Sequence, residues 1–329
     1  MYEHFYGLRE RPFDLSSNTK FLFLSAQHHE ALTHLRYGLS GRPGITLLIG
    51  EAGMGKSTLI RAALASDKLA SSKIVLLSNP TLTREEFYEY LAHEFEFSDE
   101  AATSKATFLD EFAAAIDKCH SENGVLALIV DEGQSLPYEL LEELRLLTNT
   151  EGQSKRSAAL LLVGQPELSD RLQDPSLRQL KQRVSLRAEL RPFTLKETAG
   201  YIAARITVAG GRADAVFTRD AVVAIHTAAK GLPRTISVIC DNALVTGFAE
   251  NLKPVGSETI AAVCADFDLA YELKQAGHEP APPAEPAIAH AAPAPPPPRP
   301  AGPGETTVRS TMFRDYETKR FSFFRGARR

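Results

Sequence analysis

The stretch Gly50-Glu51-Ala52-Gly53-Met54-Gly55-Lys56-Ser57 constrains this chain more than any other, because its G-x-x-x-x-G-K-S spacing is that of a phosphate-binding loop. Its surroundings fit that reading. Ile45-Thr46-Leu47-Leu48-Ile49 before it is a short apolar run rich in β-formers, and Thr58-Leu59-Ile60-Arg61-Ala62-Ala63-Leu64-Ala65 after it has helical composition. Strand, glycine turn and helix start form the geometry that holds a polyphosphate. The glycines permit positive φ, so backbone N–H groups converge on one phosphate. The helix N-terminus adds its dipole, Lys56 is expected to reach the outer phosphates, and the Ser57 hydroxyl to ligate Mg²⁺. Expected phosphate contacts run from Gly50 to Thr58.

A second run completes the expected site. Val125-Leu126-Ala127-Leu128-Ile129-Val130 is continuously apolar, as a central parallel strand buried on both faces must be, and it ends in Asp131-Glu132. A carboxylate at a strand's C-terminal end suits a Mg²⁺ ion, so Asp131 is the expected metal ligand. Its neighbour Glu132 is placed to polarise a water towards a γ-phosphate.

The pattern along the chain predicts an α/β domain with a five-stranded parallel sheet covered by helices. The other strands are expected at Lys73–Ser78, Ala158–Val163 and Val184–Leu190. Intervening helices are expected near Arg84–Phe95, Ala106–Cys119 and Pro137–Leu147. From about residue 193 the pattern is helical throughout. Thr194 with Glu197 three residues on forms a capping box, and helices are predicted near Thr218–Ala229, Pro233–Phe248 and Ser257–Phe267. The expected organisation is therefore an α/β unit with its N-terminal segment over 1–192, and a small all-α lid over 193–275. A Pro/Ala-rich disordered linker over 276–304 and a basic aromatic tail over 305–329 follow. The linker holds 11 of the 20 prolines, too little apolar surface to fold, and reads as an extended spacer. The tail carries seven Lys and Arg against three Asp and Glu, with five aromatics among them.

Composition narrows the class. At 329 residues, 43% hydrophobic and 24% charged, the chain is an ordinary soluble globular protein with room for two domains. Met1-Tyr2-Glu3-His4 lacks a secretory pattern, and no apolar run approaches the ~18 residues of a membrane helix. Cys119, Cys240 and Cys264 lie far apart without metal-ligand spacing, as buried thiols of a reducing compartment do. His28 and His29 are poor co-ligands, since adjacent helical residues point about 100° apart. A cytoplasmic protein is expected, with peripheral attachment at an inner membrane.

Taken together these residues resemble the AAA+ superfamily and, within it, the ExeA-like group, the general secretion pathway protein A ATPases. The resemblance is carried by Phe5-Tyr6-Gly7-Leu8-Arg9-Glu10-Arg11-Pro12-Phe13, by Phe21-Leu22-Phe23-Leu24-Ser25 with His29-Glu30-Ala31-Leu32, and by Tyr37-Gly38-Leu39. Gly164-Gln165-Pro166-Glu167-Leu168 and Gln182-Arg183-Val184 are also similar, so that residues 1 to about 270 are covered. The resemblance implies ATP and Mg²⁺ as ligands and a homo-oligomer with ATP between subunits. It implies that Gln165, after the fourth strand, orients the attacking water. Arg183 is implied as an arginine finger directed at a neighbouring subunit, with Arg178 as its competitor. Arg234, at a helix start in the lid, is implied to rest on the bound phosphates. Phe13 or Leu15 is implied to pack the adenine.

The expected function is Mg²⁺-dependent ATP hydrolysis by an oligomeric motor or switch serving an envelope-associated secretion, pilus or polysaccharide export machine. Residues 1–275 carry 29 Lys and Arg against 36 Asp and Glu, which weighs against the alternative of a transposition-type DNA-binding regulator without settling it. A nucleotide-gated scaffold with little turnover is a further alternative, disfavoured by Glu132. The tail's mixture of cations and rings suits an anionic membrane or a groove on a partner protein.

Overall fold

A computed structural model of the chain describes residues 1–15, 19–40, 44–65, 69–78, 81–150, 152 and 156–266. The linker and tail expected at 276–329 lie outside the described residues. The strands are β1 (Ile45–Gly50), β2 (Lys73–Leu77), β3 (Leu126–Val130), β4 (Ala159–Gly164) and β5 (Val184–Leu190). They form one five-stranded sheet in the order β2-β3-β4-β1-β5, with every pairing parallel. The patterns of the strands dictate that order. Every residue of β1, β3 and β4 is buried, so these strands are central. In β5, by contrast, Ser185, Arg187 and Glu189 are exposed, which suits an edge.

Alternate strand residues point to opposite faces, and each face has its own core. On one face Leu47, Ile49, Leu128, Val130 and Leu160 meet Phe87, Phe95, Phe108 and Phe112 from the helices Arg84–Glu94 and Lys105–Ser121 and the turn after the first of them. On the other, Leu48, Ile129, Leu161 and Val163 meet Ala31, Leu35, Leu59 and Ala63 from the helices Ala26–Gly38 and Lys56–Leu64. Gly38 allows the first of these to end against β1, since a Cβ there would lie 2.1 Å from Thr46 Oγ1.

On the first face one buried carboxylate is held by three side chains from two neighbouring helices. Glu143, on the helix Tyr138–Leu147, accepts from Tyr88 Oη at 2.5 Å and from Lys105 Nζ at 2.6 Å, while Arg84 reaches its other oxygen at 2.6 Å. Burial pushes its carboxyl up, but the bonds from Lys105 and Tyr88 and the nearby charges outweigh burial and hold it below the ordinary value.

The helices Leu195–Val208, Arg219–Ala229, Pro233–Ala249 and Ser257–Asp266 form a third core. Thr194 and Glu197 make the reciprocal capping box that their spacing predicts. Thr83 and Glu86 make a second one. Within residues 1–192, the N-terminal side chains pack with the lid helices. Tyr2, Tyr6, Leu8, Phe13 and Phe21 are buried in the helical core, with Tyr6 Oη donating to the Leu252 carbonyl at 3.1 Å and Arg11 paired to Asp241 at 2.7 Å. The reason is space. Both faces of the sheet are covered by helices from residue 26 onward, while the helical core has room for the N-terminal side chains. Short helices at Asp99–Thr103 and Pro166–Arg171 were not anticipated. They are too brief to establish a 3.6-residue period. The cysteines are free and buried, as expected. Among the described residues no helix is long and apolar enough to cross a membrane.

Candidate functional site

The loop between β1 and the helix Lys56–Leu64 takes the conformation its glycines allow, with φ of +81° at Gly53 and +89° at Gly55. Lys56 is 6% exposed and folds back, its Nζ donating to the carbonyls of Gly50 at 2.6 Å and Glu51 at 3.1 Å. Burial lowers its ammonium below the ordinary value, against the pull of Glu132 and Asp131. The lysine is thus a cation held beside the loop by backbone oxygens that a phosphate could replace. Ser57 Oγ donates to Asp131 Oδ2 at 3.3 Å. Hydroxyl and carboxylate oxygens brought together at a helix start are the hard donors that suit Mg²⁺.

β4 lies between β1 and β3. The end of β4 therefore sits between the glycine loop and the Asp131-Glu132 pair, and it delivers Gln165 there. Asp131 Oδ1 accepts from the Glu132 backbone N–H at 2.9 Å. Glu132 is in the left-handed region, φ +53°. Its Oε2 accepts from Gln134 Nε2 at 2.5 Å and from Gln165 Nε2 at 3.2 Å. The Gln134 bond leads in holding the Glu132 carboxyl below its ordinary value, against partial burial, with help from Gln165 and Lys56. The Gln165 side chain is therefore turned onto Glu132.

Of these groups Lys56, Ser57 and Glu132 open onto a cleft of about 370 Å³ between the sheet's C-terminal edge and the helical body. Residues 52–58 and Glu132 line its polar end, while Leu15, Leu22, Phe23, Phe193 and Tyr201 line an apolar end. Arg234 closes one side, its backbone N–H donating to the Gly53 carbonyl at 3.2 Å. Of the residues left open for an adenine, Leu15 lines the cleft, whereas Phe13 is 1% exposed and packs edge-on to Phe217 in the helical core.

Arg183 and Arg178 stand apart. The Arg183 carbonyl accepts from the N–H of Ile45, the first residue of β1, at 2.8 Å. The loop lies at the other end of that strand, about 16 Å away at ~3.3 Å per residue. Both arginines are exposed, and neither is among the residues that line the cleft.

Some cleft residues carry no sequence signal. His28 is buried, with Nδ1 2.8 Å from Ser25 Oγ and Nε2 3.3 Å from the Met54 carbonyl. A carbonyl only accepts, so Nε2 carries the proton and Nδ1 accepts from the serine. Burial lowers the imidazole below its ordinary value and favours that neutral form. Arg205, also buried, donates to the carbonyls of Pro12 at 2.5 Å and Asp14 at 3.0 Å and to Tyr201 Oη at 2.7 Å. It thereby pins the segment before Leu15 to the lid. Each has one side-chain partner within four residues, Ser25 and Tyr201, but what ties it to the cleft is a bond to a distant backbone carbonyl that no spacing marks.

A parallel sheet in this order, with a glycine loop ending β1, paired carboxylates ending β3 and an arginine-bearing helical body against the loop, defines a P-loop NTPase of the AAA+ class. An AAA domain family matches residues 39–172. General secretion pathway protein A of Aeromonas hydrophila is 37% identical over 274 residues, 83% of this chain and 48% of that protein. The chain therefore spans about half the length of that relative. The ORC2 protein of Aeropyrum pernix shares the fold with a TM-score of 0.57 at 17% identity, covering 78% of this chain and 71% of that one. Cdc6p of Pyrobaculum aerophilum does so with 0.58 at 16% identity, covering 78% and 70%. The chain belongs to the ExeA-like, general secretion pathway protein A family of AAA+ ATPases.

Proposed function

We propose that this chain binds ATP with Mg²⁺ in the cleft and hydrolyses it. The observation that carries the reading is the convergence of Lys56, the Ser57–Asp131 pair and Glu132 at one polar end of the cleft, beside positive-φ glycines. Lys56 would exchange its carbonyl partners for phosphate oxygens. Ser57 and Asp131 would hold Mg²⁺, which when bound neutralises charge on the phosphates. Glu132 would accept a hydrogen bond from the attacking water, and Gln165 would act on that water through Glu132. Leu15 and the aromatic wall would take the base. Arg234 would couple the lid to the loop's occupancy. The ORC2 comparison structure holds ADPNP and ADP, which favours an adenine nucleotide here.

We assign Arg183 to the nucleotide of a neighbouring subunit in a homo-oligomer, since it does not line its own chain's cleft. The process we infer from the relative's name is assembly or regulation of an envelope-associated secretion, pilus or polysaccharide export machine, with the basic aromatic tail as the recruiting segment at the inner membrane. The decisive experiment pairs two substitutions in ATP binding and turnover assays. Lys56→Ala is expected to lose binding. Glu132→Gln is expected to keep binding and lower turnover by about 10²- to 10⁴-fold, the range of a lost general base. Wild-type turnover in Glu132→Gln would refute the role given to that residue.

A further inference from the structure

We propose that Gln134 is a positioning residue that fixes the carboxylate of Glu132 for its work on the attacking water, an inference that rests on the ATPase reading above. The left-handed backbone at Glu132 leads into a single 3₁₀ turn, Gly133–Ser135, closed by the Ser135 N–H on the Glu132 carbonyl at 2.8 Å. That turn carries the chain back over itself and brings the Gln134 amide onto Glu132. It is pressed against the end of β4, for a Cβ at Gly133 would lie 2.7 Å from Leu162 Cδ1. The close fit against β4 requires glycine at this position of the turn.

The orientation of the amide is determined by its neighbours. Its Oε1 accepts from the backbone N–H of Gln165 at 3.0 Å. A backbone N–H can only donate, so the oxygen must face it and Nε2 must face Glu132. The Gln134 carbonyl in turn accepts from Arg171, at the end of the helix Pro166–Arg171, and that guanidinium lies over the Tyr138 ring at 4.7 Å. Gln134 is therefore held through both backbone and side chain, and it transmits the position of β4's end to Glu132. Its Nε2 and that of Gln165 both meet Oε2 of the carboxylate, and among the described residues no hydrogen bond reaches Oε1. Oε1 is left to meet a water in the cleft that Glu132 lines.

The test uses the full chain with Gln134→Met, which keeps length and volume but lacks both the donor to Glu132 and the acceptor for the Gln165 N–H, beside Gln134→Ala. Removing these bonds is expected to lower kcat about 10- to 100-fold, the scale of a misplaced reacting group. KM for ATP stays at its wild-type value in the methionine variant. In a Glu132→Gln background Gln134→Met is expected to bring no further loss of kcat, because the carboxylate it positions is gone. The side-chain amide resonance of Gln134 is expected to move in Glu132→Ala, which reads the contact without any turnover. A kcat in Gln134→Met equal to or above wild type, or an amide resonance unmoved in Glu132→Ala, would overturn the assignment. Absence of hydrolysis by the wild-type chain would instead overturn the ATPase reading, while the amide resonance still reports on the Gln134–Glu132 contact.

Discussion

At the scale of single residues, the two left-handed glycines of the loop differ in what they protect. Gly55 at φ +89° has open space where a Cβ would stand, whereas at Gly53, φ +81°, a Cβ would come 2.7 Å from Arg234 Cβ. Gly55→Ala thus carries only the backbone penalty of roughly 1–2 kcal/mol for a non-glycine residue. Gly53→Ala carries that penalty and also pushes the helical body off the loop. We expect Gly53→Ala to weaken ATP binding at least ~10-fold more than Gly55→Ala, which corresponds to about 1.4 kcal/mol. Titration with a fluorescent ATP analogue decides it, and equal affinities for the two variants would remove Arg234 from the account of residue 53. The loop glycines, Lys56, Ser57, Asp131 and Glu132 were legible because a polyphosphate site demands those residue types at close spacing. Gln134, His28 and Arg205 were not. An amide, an imidazole and a guanidinium acquire their roles from partners that the fold delivers, and Gln134 stood unremarked beside the carboxylate it holds.

At the scale of elements, Glu143 ties together the helices Arg84–Glu94, Lys105–Ser121 and Tyr138–Leu147 through Arg84, Lys105 and its bond from Tyr88. Removal of a buried ion's partner costs 3–5 kcal/mol in general, but Arg84 and Lys105 are partly exposed and regain water, so Glu143→Gln is expected to cost about 2 kcal/mol. Urea denaturation measures this. The pH dependence has a definite sign. The folded carboxyl lies below its ordinary value, so its contribution is complete above the unfolded carboxylate's pKa and is lost as pH falls through the folded one. The gap between wild type and Glu143→Gln should hold steady from neutrality to about pH 5 and narrow below it. A gap independent of pH down to pH 3 would show that Glu143 acts by shape alone. The strands and long helices were readable because each repeats its period several times. The short helices Asp99–Thr103 and Pro166–Arg171 were not, since five or six residues carry barely more than one turn.

At the scale of the whole molecule, the cleft lies between the sheet and the helical body, and the arginine finger proposed for it belongs to a neighbouring subunit. Arg183 sits at the start of β5 while the loop sits at the end of β1, so the proposal gives each chain a part in two sites, one with its loop and one with its Arg183. Arg183→Ala subunits are expected to bind ATP with wild-type affinity and to turn it over about 10³-fold more slowly, the effect of a lost arginine finger. Mixing them with Lys56→Ala subunits should restore part of the activity, because an interface formed from one competent half of each is intact. Specific activity that does not change on dilution, together with no rescue on mixing, would place the whole reaction within one chain.

The sequence by itself determined what depends on local pattern. It determined the strands, because apolar runs of strand length recur between helical periods, and it determined the phosphate loop and strand-end carboxylates, because their chemistry fixes residue type and spacing. Tertiary structure alone decided what depends on packing over long separations. It set β4 between β1 and β3 and so brought Gln165 and Gln134 onto Glu132. It also buried the N-terminal aromatics in the helical body rather than against the sheet. Burial rewards apolar surface wherever room remains, and only the assembled sheet, with both faces already covered, specifies where that room is.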